Sequence, residues 1–464
     1  MPVPERITKC DVGKLHMKLL ARLIVIAGWF TALPAFAMPF DLSTAYQKAV
    51  DYDAQLRAAK ADNLVSKEEI AKAKSEFRPR VSANAQQGRN ETLSITPSFF
   101  GGYNRLNQLY NTKTYSLSLQ QPLFNLASVA DYKQAKAVVS KSEALLQHEE
   151  ASLIVRITVA YCNALYSEDN LDFSQSHIKA SLEQLQQTKS RFEKGFGTIT
   201  EISEAQAAYD MAIAEGVEIV SGDDFSRREL EHFTGVFPDE LCKLVPEKMI
   251  LNKPFPNNIE SWIELARSGN HEIAASRQEV QIAQKEIDKH RASRYPTLNL
   301  VAGQNYDMSD SNNIIGQAYN TYSIALQLSV PIYTGGYTSA SIRQAQAKRL
   351  KAQEEFSWQD RGTVSDVRKY YNGVITSIAQ IQAYEQAVKS GKIALKGTKK
   401  GFELGIRTNM EVLDAQQKLL SNKRNLAKSR YQYILNKLQL KDSTGSLSAA
   451  DIEEVNGWLG GVKK

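Results

Sequence analysis

The chain is poor in cysteine, with three in 464 residues. Cys10 lies in an N-terminal segment that we expect to be removed, which leaves Cys162 and Cys242. Two cysteines in a chain of this length do not make a disulfide framework. Cys162 falls in a helical apolar stripe and is predicted to be a small core residue, and a bridge to Cys242 is not expected.

Long hydrophobic runs are also missing. Beyond residue 37 no apolar run approaches the roughly 18 residues that a membrane-spanning helix needs, and the mean hydropathy is −0.38. If this chain crosses a membrane it must do so with β-strands, because only helices and closed barrels satisfy their backbone groups in lipid.

Nothing in the sequence points to catalysis, a cofactor or a metal. There is no GxSxG, P-loop or Rossmann pattern, and the histidines after residue 37 are scattered, without the i, i+4 spacing of a metal site. The net charge is +6, and removing residues 1–37, with five basic and two acidic residues, lowers it by three to +3. That bias is too weak to indicate a nucleic-acid partner. We therefore expect neither an enzyme nor a nucleic-acid-binding protein.

The first 37 residues have the pattern of a secretory signal peptide. Basic residues up to Arg22 precede an apolar run at residues 23–30, and the small-residue site Ala35-Phe36-Ala37 follows. We expect cleavage before Met38 and export of the mature chain, and initiation at Met17 would also leave a complete signal. Because Cys10 is not at the cleavage site, the mature N-terminus is not expected to be a lipidated cysteine.

One phrase occurs twice, 210 positions apart. Residues 191–206 read RFEKGFGTITEISEAQ, and residues 401–416 read GFELGIRTNMEVLDAQ. The similarity extends outward, so that each half is predicted to run helix, strand, loop, strand, long helix, turn, helix. We predict a first structural repeat at 38–245 and a second at 246–464. Prolines are predicted at the four helix–strand junctions: Pro79, Pro122, Pro296 and Pro331.

The predicted helices are very long. Leu153, Ile157, Tyr161 and Leu165 recur every four residues, as on one apolar stripe of a helix. No proline occurs between residues 126 and 189, so a continuous helix there would be about 95 Å long. Such a helix needs lateral partners, as coiled coils do. The pattern weakens near Asp169, which leaves open two helices packed end to end.

Four short segments alternate between apolar and polar residues, at about 80–90, 112–123, 297–307 and 320–332. Residues 91–111 and 308–320 are predicted to be long polar loops. The pattern fits strands of an outer-membrane barrel, and a soluble two-faced sheet is the alternative. Phe124 and Tyr333, at matching strand ends, fit an aromatic interface girdle. Four strands cannot close a barrel, since the smallest have eight, but three chains of four strands would give twelve.

Three stretches together resemble the TolC family of trimeric outer-membrane channel-tunnels: residues 328–346, LSVPIYTGGYTSASIRQAQ; residues 405–416, GIRTNMEVLDAQ; and residues 430–440, RYQYILNKLQL. The resemblance implies a mainly α chain that contributes four strands to a trimeric, 12-stranded membrane β-barrel. It also implies an α-helical periplasmic tunnel with an equatorial region around 236–270 and after Gly445. The location would be the outer membrane of a Gram-negative bacterium, with outer-membrane lipid around the barrel.

The function implied by the resemblance is a passive conduit for type I protein secretion or multidrug efflux. Its partners would be a periplasmic adaptor and an inner-membrane ABC or proton-driven (RND) transporter. Lipid-anchored branches of the family begin with cysteine, which favours the secretion branch here. The alternative is a soluble periplasmic coiled-coil adaptor or scaffold, although adaptors lack four alternating strands bounded by proline.

The resemblance also assigns roles near the repeated phrase. The turns at about 195–200 and 405–408, with Gly195, Gly197 and Gly405, would form the periplasmic tip. Glu411 and Asp414 share a helix face and would line a pore constriction, with six carboxylates in a trimer that attract cations. Their alternative role is a plain solvated helix face. Residues predicted to form a latch that keeps the tip closed are Arg407, its partners Thr200 and Glu201, and Phe402, which replaces a tyrosine and so removes one hydrogen bond.

Overall fold

The computed structural model describes residues 40–310 and 317–460, so the predicted signal peptide lies outside the described residues. The first half contains α1 (Leu42–Tyr52), α2 (Ala54–Ser75), β1 (Arg80–Pro97), β2 (Tyr103–Phe124), α3 (Leu126–Glu193) and α4 (Ile199–Thr234). A 3₁₀ turn (Pro246–Lys248) and α5 (Ile259–Gly269) follow. The second half contains α6 (His271–Ala292), β3 (Thr297–Ser309), β4 (Gln317–Ser329), α7 (Tyr337–Glu403), α8 (Asn409–Ser443) and α9 (Ala449–Gly457).

Two helices dominate the molecule. α3 has 68 residues and α7 has 67, so each is about 100 Å long at 1.5 Å per residue. α3 packs beside α2, α4, α6 and α8, and α7 packs beside α5, α6 and α8. The alternative of two helices meeting near Asp169 is wrong, because α3 is continuous and Asp169 accepts a 2.7 Å hydrogen bond from the Tyr431 hydroxyl of α8.

The strands form one antiparallel sheet in the order β1-β2-β3-β4. The predicted loop at 91–111 is wrong in extent, because β1 and β2 stay paired from Arg80–Gln120 to Pro97–Tyr103. The backbone hydrogen bonds of an antiparallel ladder form whatever the side chains are. The polar residues at 91–111 therefore do not end the pairing of β1 with β2. The chain reverses only at 98–102, where Gly101 and Gly102 adopt φ of +89° and +86°, a region that favours glycine.

The prolines lie close to the predicted junctions. Pro79 and Pro296 directly precede β1 and β3, and Pro331 follows β4, which ends at Ser329 rather than at the predicted 332. Proline has no N–H for the sheet ladder, so the strand stops before it. Pro122 instead lies inside the end of β2, at a shift in the pairing with β3.

The largest core lies where chain segments cross the middle of α3. The buried Tyr161 hydroxyl donates to the carbonyls of Phe40 and Cys242 at 3.0 and 3.1 Å. α1, α9 and residues 241–244 pack around this point, which is the predicted equatorial region. Cys162 and Cys242 are both buried free thiols, and burial raises the pKa of Cys162 to about 12.

Among the helices that the structure describes, none is both long and apolar enough to span a bilayer.

Candidate functional site

One face of the sheet is an exposed apolar band. The register places side chains from all four strands on this face: Val81, Ala83, Leu117, Leu119, Leu298, Leu300, Ala302, Ile324, Leu326 and Leu328. Ile324 alone is 75% exposed. From Leu298 to Tyr306 the band extends eight residue steps, or about 26 Å at 3.3 Å per step. At the 35–45° tilt of barrel strands this length corresponds to a height of about 20 Å, which is close to the roughly 25 Å apolar band of outer-membrane barrels.

Aromatic residues border the band. Tyr115 and Tyr306 stack with their ring centroids 6.0 Å apart, and beyond them the same face carries the paired Gln87 and Lys113. At the opposite end lies the exposed Phe124. Tyrosine and tryptophan concentrate where lipid meets water, so the apolar face has the layout of a membrane-facing surface.

The other face of the sheet is polar and internally hydrogen bonded. Ser82 and Ser118 hydroxyls lie 2.7 Å apart, and the Thr114 hydroxyl donates to the Asp307 carboxylate at 2.9 Å. Alternation of this kind gives a strand one side for lipid and one for water. The sheet can therefore separate a hydrocarbon layer from an aqueous space.

The repeated phrase forms the same turn twice. α3 ends at Glu193 and α4 begins at Ile199, while α7 ends at Glu403 and α8 begins at Asn409. Gly195 and Gly405 adopt φ of +79° and +75°, which explains glycine at these two positions. Gly197 does not have a positive φ, and an added Cβ there would lie 3.1 Å from the Glu201 carboxylate.

Each turn is followed by a capping box. Thr198 caps α4 with Glu201, and Thr408 caps α8 with Glu411. The Thr408 N–H donates to the Glu411 carboxylate at 2.8 Å, and the Glu411 N–H donates back to the Thr408 hydroxyl at 3.3 Å. Two of the three predicted acidic site residues, Glu201 and Glu411, are thus fixed by the starts of their helices.

The predicted constriction residues differ in their surroundings. Glu411 forms a 2.8 Å ion pair with Arg407. The Thr408 N–H and then the Arg407 guanidinium hold the pKa of Glu411 below its ordinary value. Asp414 is exposed one turn further along α8, and among the described residues its carboxylate has no hydrogen-bond partner. The two carboxylates share a helix face, but only Asp414 is unengaged.

The predicted latch is not formed within one chain. Arg407, in the turn before α8, pairs with Glu411 of α8. The Glu201 carboxylate accepts from the Thr198 N–H, and Thr200 is exposed. The latch between neighbouring helices therefore stays a prediction.

Arg191 is a tip residue that sequence reasoning missed. Its guanidinium lies 4.4 Å from the centroid of the Phe402 ring and donates to the Phe402 carbonyl and, at 3.4 Å, to the Glu403 carbonyl. Phe402 is 2% exposed, so it is a core residue held by a cation–π contact. The sequence does distinguish Arg191, because it is the first residue of the repeated phrase and the equivalent residue of the second copy is Gly401.

Across the described residues, no group of three or more His, Cys, Asp or Glu side chains is placed to hold a metal ion.

Comparison with known proteins identifies the family. The sequence pattern of the family described as "Outer membrane efflux protein" matches residues 45–220 and 262–446. The chain is 32% identical over 423 residues to the alkaline protease secretion protein AprF of Pseudomonas aeruginosa, covering 91% of this chain and 87% of that protein. It is 31% identical over 451 residues to the outer membrane protein TolC of Vibrio cholerae, covering 97% and 100%.

Solved structures show the same fold. The outer membrane protein VceC of Vibrio cholerae matches with a TM-score of 0.75 at 18% identity, covering 88% of this chain and 96% of that chain. The Campylobacter jejuni CmeC outer membrane channel matches with a TM-score of 0.73 at 16% identity, covering 90% of each. The predicted fold class is confirmed: long tunnel helices and a four-stranded contribution to a membrane barrel.

The resemblance to the TolC family, the outer-membrane location and the role as a channel-tunnel in secretion or efflux are likewise confirmed by these relatives. This chain belongs to the outer membrane efflux protein family.

Proposed function

We propose that three copies of this chain close a twelve-stranded barrel and together form a passive conduit. Substrates would enter from an inner-membrane ABC or RND transporter through a periplasmic adaptor, cross the periplasm in the helical tunnel, and leave through the barrel. The observation that carries this proposal is the sheet itself, which has a mainly apolar face, interrupted by Gln121 and Gln304, but two edge strands.

The edges are β1 and β4, with 18 and 13 residues. In lipid each unpaired backbone group costs several kcal/mol, so open sheet edges do not occur there. Pairing β1 of one chain with β4 of the next removes both edges at every junction. Three chains of four strands give twelve, within the range of known barrels.

The tip supports a cation-attracting constriction. Glu411 and Asp414 lie on the first turns of α8, beside the chain reversal at 404–408. Three chains would bring six carboxylates together, and rings of Asp or Glu select for cations. In this proposal Arg407 of one chain reaches Thr200 and Glu201 of a neighbour and keeps the tip closed.

The names of the relatives bear on the cargo. AprF is named for alkaline protease secretion, and another relative, BepC of Brucella suis, is named an outer membrane efflux protein. We propose export of a polypeptide, of small molecules, or of both, with the choice made by the transporter. In-cell cross-linking through a tagged copy of this chain should recover the adaptor and transporter that supply it.

Two measurements test the conduit. The protein purified in detergent should migrate as an SDS-resistant trimer that dissociates on heating, and it should form cation-selective channels in planar bilayers. A monomer that is freely soluble in water without detergent would overturn the proposal. That result would instead support the alternative, a periplasmic adaptor or scaffold.

A further inference from the structure

Helices α3 and α8 share one continuous antiparallel contact, here named the α3–α8 seam. At its equatorial end the rings of Tyr166 and Tyr431 lie 6.3 Å apart. In its middle the Lys423 ammonium lies 5.8 Å from the Phe173 ring centroid. At its tip end the Gln184 amide donates to Asn409 at 2.8 Å. The paired positions shift by only about one helical turn over this length, so the two helices stay side by side from equator to tip.

The seam changes character along its length. Its equatorial end is aromatic and joins the largest hydrophobic core. Near the tip it contains buried polar side chains, which are Ser181, Gln184, Thr188, Asn409 and Gln416. Polar side chains are seldom fully buried, and they need hydrogen bonds when they are. The tip end is therefore held by specific polar contacts as well as by apolar burial at Leu185 and Val412.

Asn409 is the centre of those contacts. It is the first residue of α8 and is 0% exposed. Its side-chain oxygen accepts from the Gln184 amide on α3 and shares, at 3.3 Å, the proton of the Thr188 hydroxyl, which also donates to the Gln184 carbonyl at 2.9 Å. Its amide nitrogen donates to the Glu201 carbonyl of α4 at 3.3 Å. One side chain thus ties the start of α8 to both helices of the other hairpin. We name Gln184, Thr188 and Asn409 the Asn409 cluster.

In the next layer of the seam, buried polar side chains lack hydrogen-bond partners among the described residues. Seven residues along each helix from Thr188 and Asn409 lie Ser181 and Gln416, at 1% and 3% exposure. Within the described residues, the Ser181 hydroxyl and both amide atoms of Gln416 have no hydrogen-bond partner. Buried polar groups without partners favour any movement that admits water. The closed seam therefore depends on the contacts at its tip end.

The duplication shows that this tie between the hairpins has no equivalent at the corresponding positions. The counterpart of Asn409 in the first repeat is Ile199, which is also the first residue of its helix but is 64% exposed. The counterpart of Gln184 is Ala394. The two halves keep the same turns and capping boxes, yet the buried amide pair that joins Gln184 of the first half to Asn409 of the second has no equivalent between Ala394 and Ile199.

We infer that Asn409 is a positioning residue of the gate, and that the Asn409 cluster holds the α7–α8 hairpin against α3 so that Glu411 and Asp414 stay in the constriction. When the cluster separates, the seam opens from the tip toward the Tyr166–Tyr431 layer, and water satisfies Ser181 and Gln416. This inference rests on the proposed conduit. It assigns closure within a chain to residues other than the predicted latch between chains.

The test is single-channel conductance of the full-length trimer in planar bilayers. Asn409→Ala should raise conductance at least threefold while the SDS-resistant trimer is retained. Gln184→Leu keeps a side chain of similar volume but removes the amide that donates to Asn409, and it should also raise conductance. The double variant should gain no more than Asn409→Ala alone, because both changes break one contact. Ile199→Ala, at the exposed counterpart position, is the matched control and should conduct as wild type.

The outcomes separate the two proposals. If Asn409→Ala and Gln184→Leu conduct as wild type does, Asn409 is not a positioning residue. The same follows if the double variant raises conductance by the sum of the two single effects. Loss of the trimer in both variants also counts against the positioning role, since the cluster would then be needed for assembly and not for closure. Absence of channels from the wild-type protein would overturn the conduit itself.

Discussion

A lysine on the apolar face of β4 should block assembly in the membrane, while a lysine one residue later should not. Ile324 lies on the apolar face and pairs with Ala302, and Ala325 lies on the polar face and pairs with Val301. The proposed variants are Ile324→Lys and Ala325→Lys. They differ by one position along the strand, so they share depth, charge and size and differ in the face they alter.

The magnitude follows from the depth of Ile324. It is four residue steps, about 13 Å, from Leu328 at the inner end of the band, which extends about 26 Å along the strands. Ile324 is therefore near the middle, where a lipid-facing lysine costs about 2 to 4 kcal/mol. A trimer carries three such residues, so the total penalty is about 6 to 12 kcal/mol. This is comparable to the whole folding free energy of an ordinary domain.

The assay is the amount of SDS-resistant, heat-dissociable trimer in the outer-membrane fraction. We expect Ile324→Lys to leave little or no trimer, and Ala325→Lys to assemble near the wild-type level with altered ion selectivity. Equal assembly of the two variants, or greater loss with Ala325→Lys, would refute the assignment of the faces and with it the barrel.

Three further results are expected. Arg407→Ser should raise single-channel conductance by weakening closure, and conductance equal to wild type would remove Arg407 from the latch. Replacing Glu411 and Asp414 together by Ala should relieve block by divalent cations, with Asp414 alone giving the larger share because its carboxylate is unengaged; unchanged block would take both out of the pore. Burial raises the pKa of Asp442 to about 6 from an ordinary 3.8, so the folded protein loses stability as pH rises from 3.8 to 6. Asp442→Asn should therefore stabilise the trimer at pH 8 by about 3 kcal/mol and have little effect near pH 4, as thermal dissociation at the two pH values would show.

The elements were predictable because their patterns are local. Proline and the change from a four-residue to a two-residue period marked the helix–strand boundaries, and the repeated phrase located both turns. The length of the first hairpin was not predictable from polarity, since Gln87, Arg89 and Glu91 extend the ladder beyond the apolar band. A backbone ladder needs no apolar side chains, so polar strands continue past the band.

The tip was predicted in position but not in its contacts. The sequence locates the turns through Gly195 and Gly405, and it indicates the caps through Thr198 and Thr408. It does not reveal that Asn409 is buried while its counterpart is exposed, because the partners of Asn409 lie more than 200 residues away. Polar residues in a helix predict a solvent-exposed face. Asn409 is buried only because the two helical hairpins pack against each other.

The nearly equal lengths of α3 and α7, 68 and 67 residues, limit how the gene can change. Each inserted residue advances a helix by about 1.5 Å and rotates everything beyond it by about 100°. An insertion in α3 or α7 alone would shift the turn of that half along the tunnel axis relative to the turn of the other half. It would also rotate the buried face of the helix away from its neighbours. Length variation in descendants of this gene should therefore come as matched changes in both halves, in steps near seven or eleven residues that restore the angular phase.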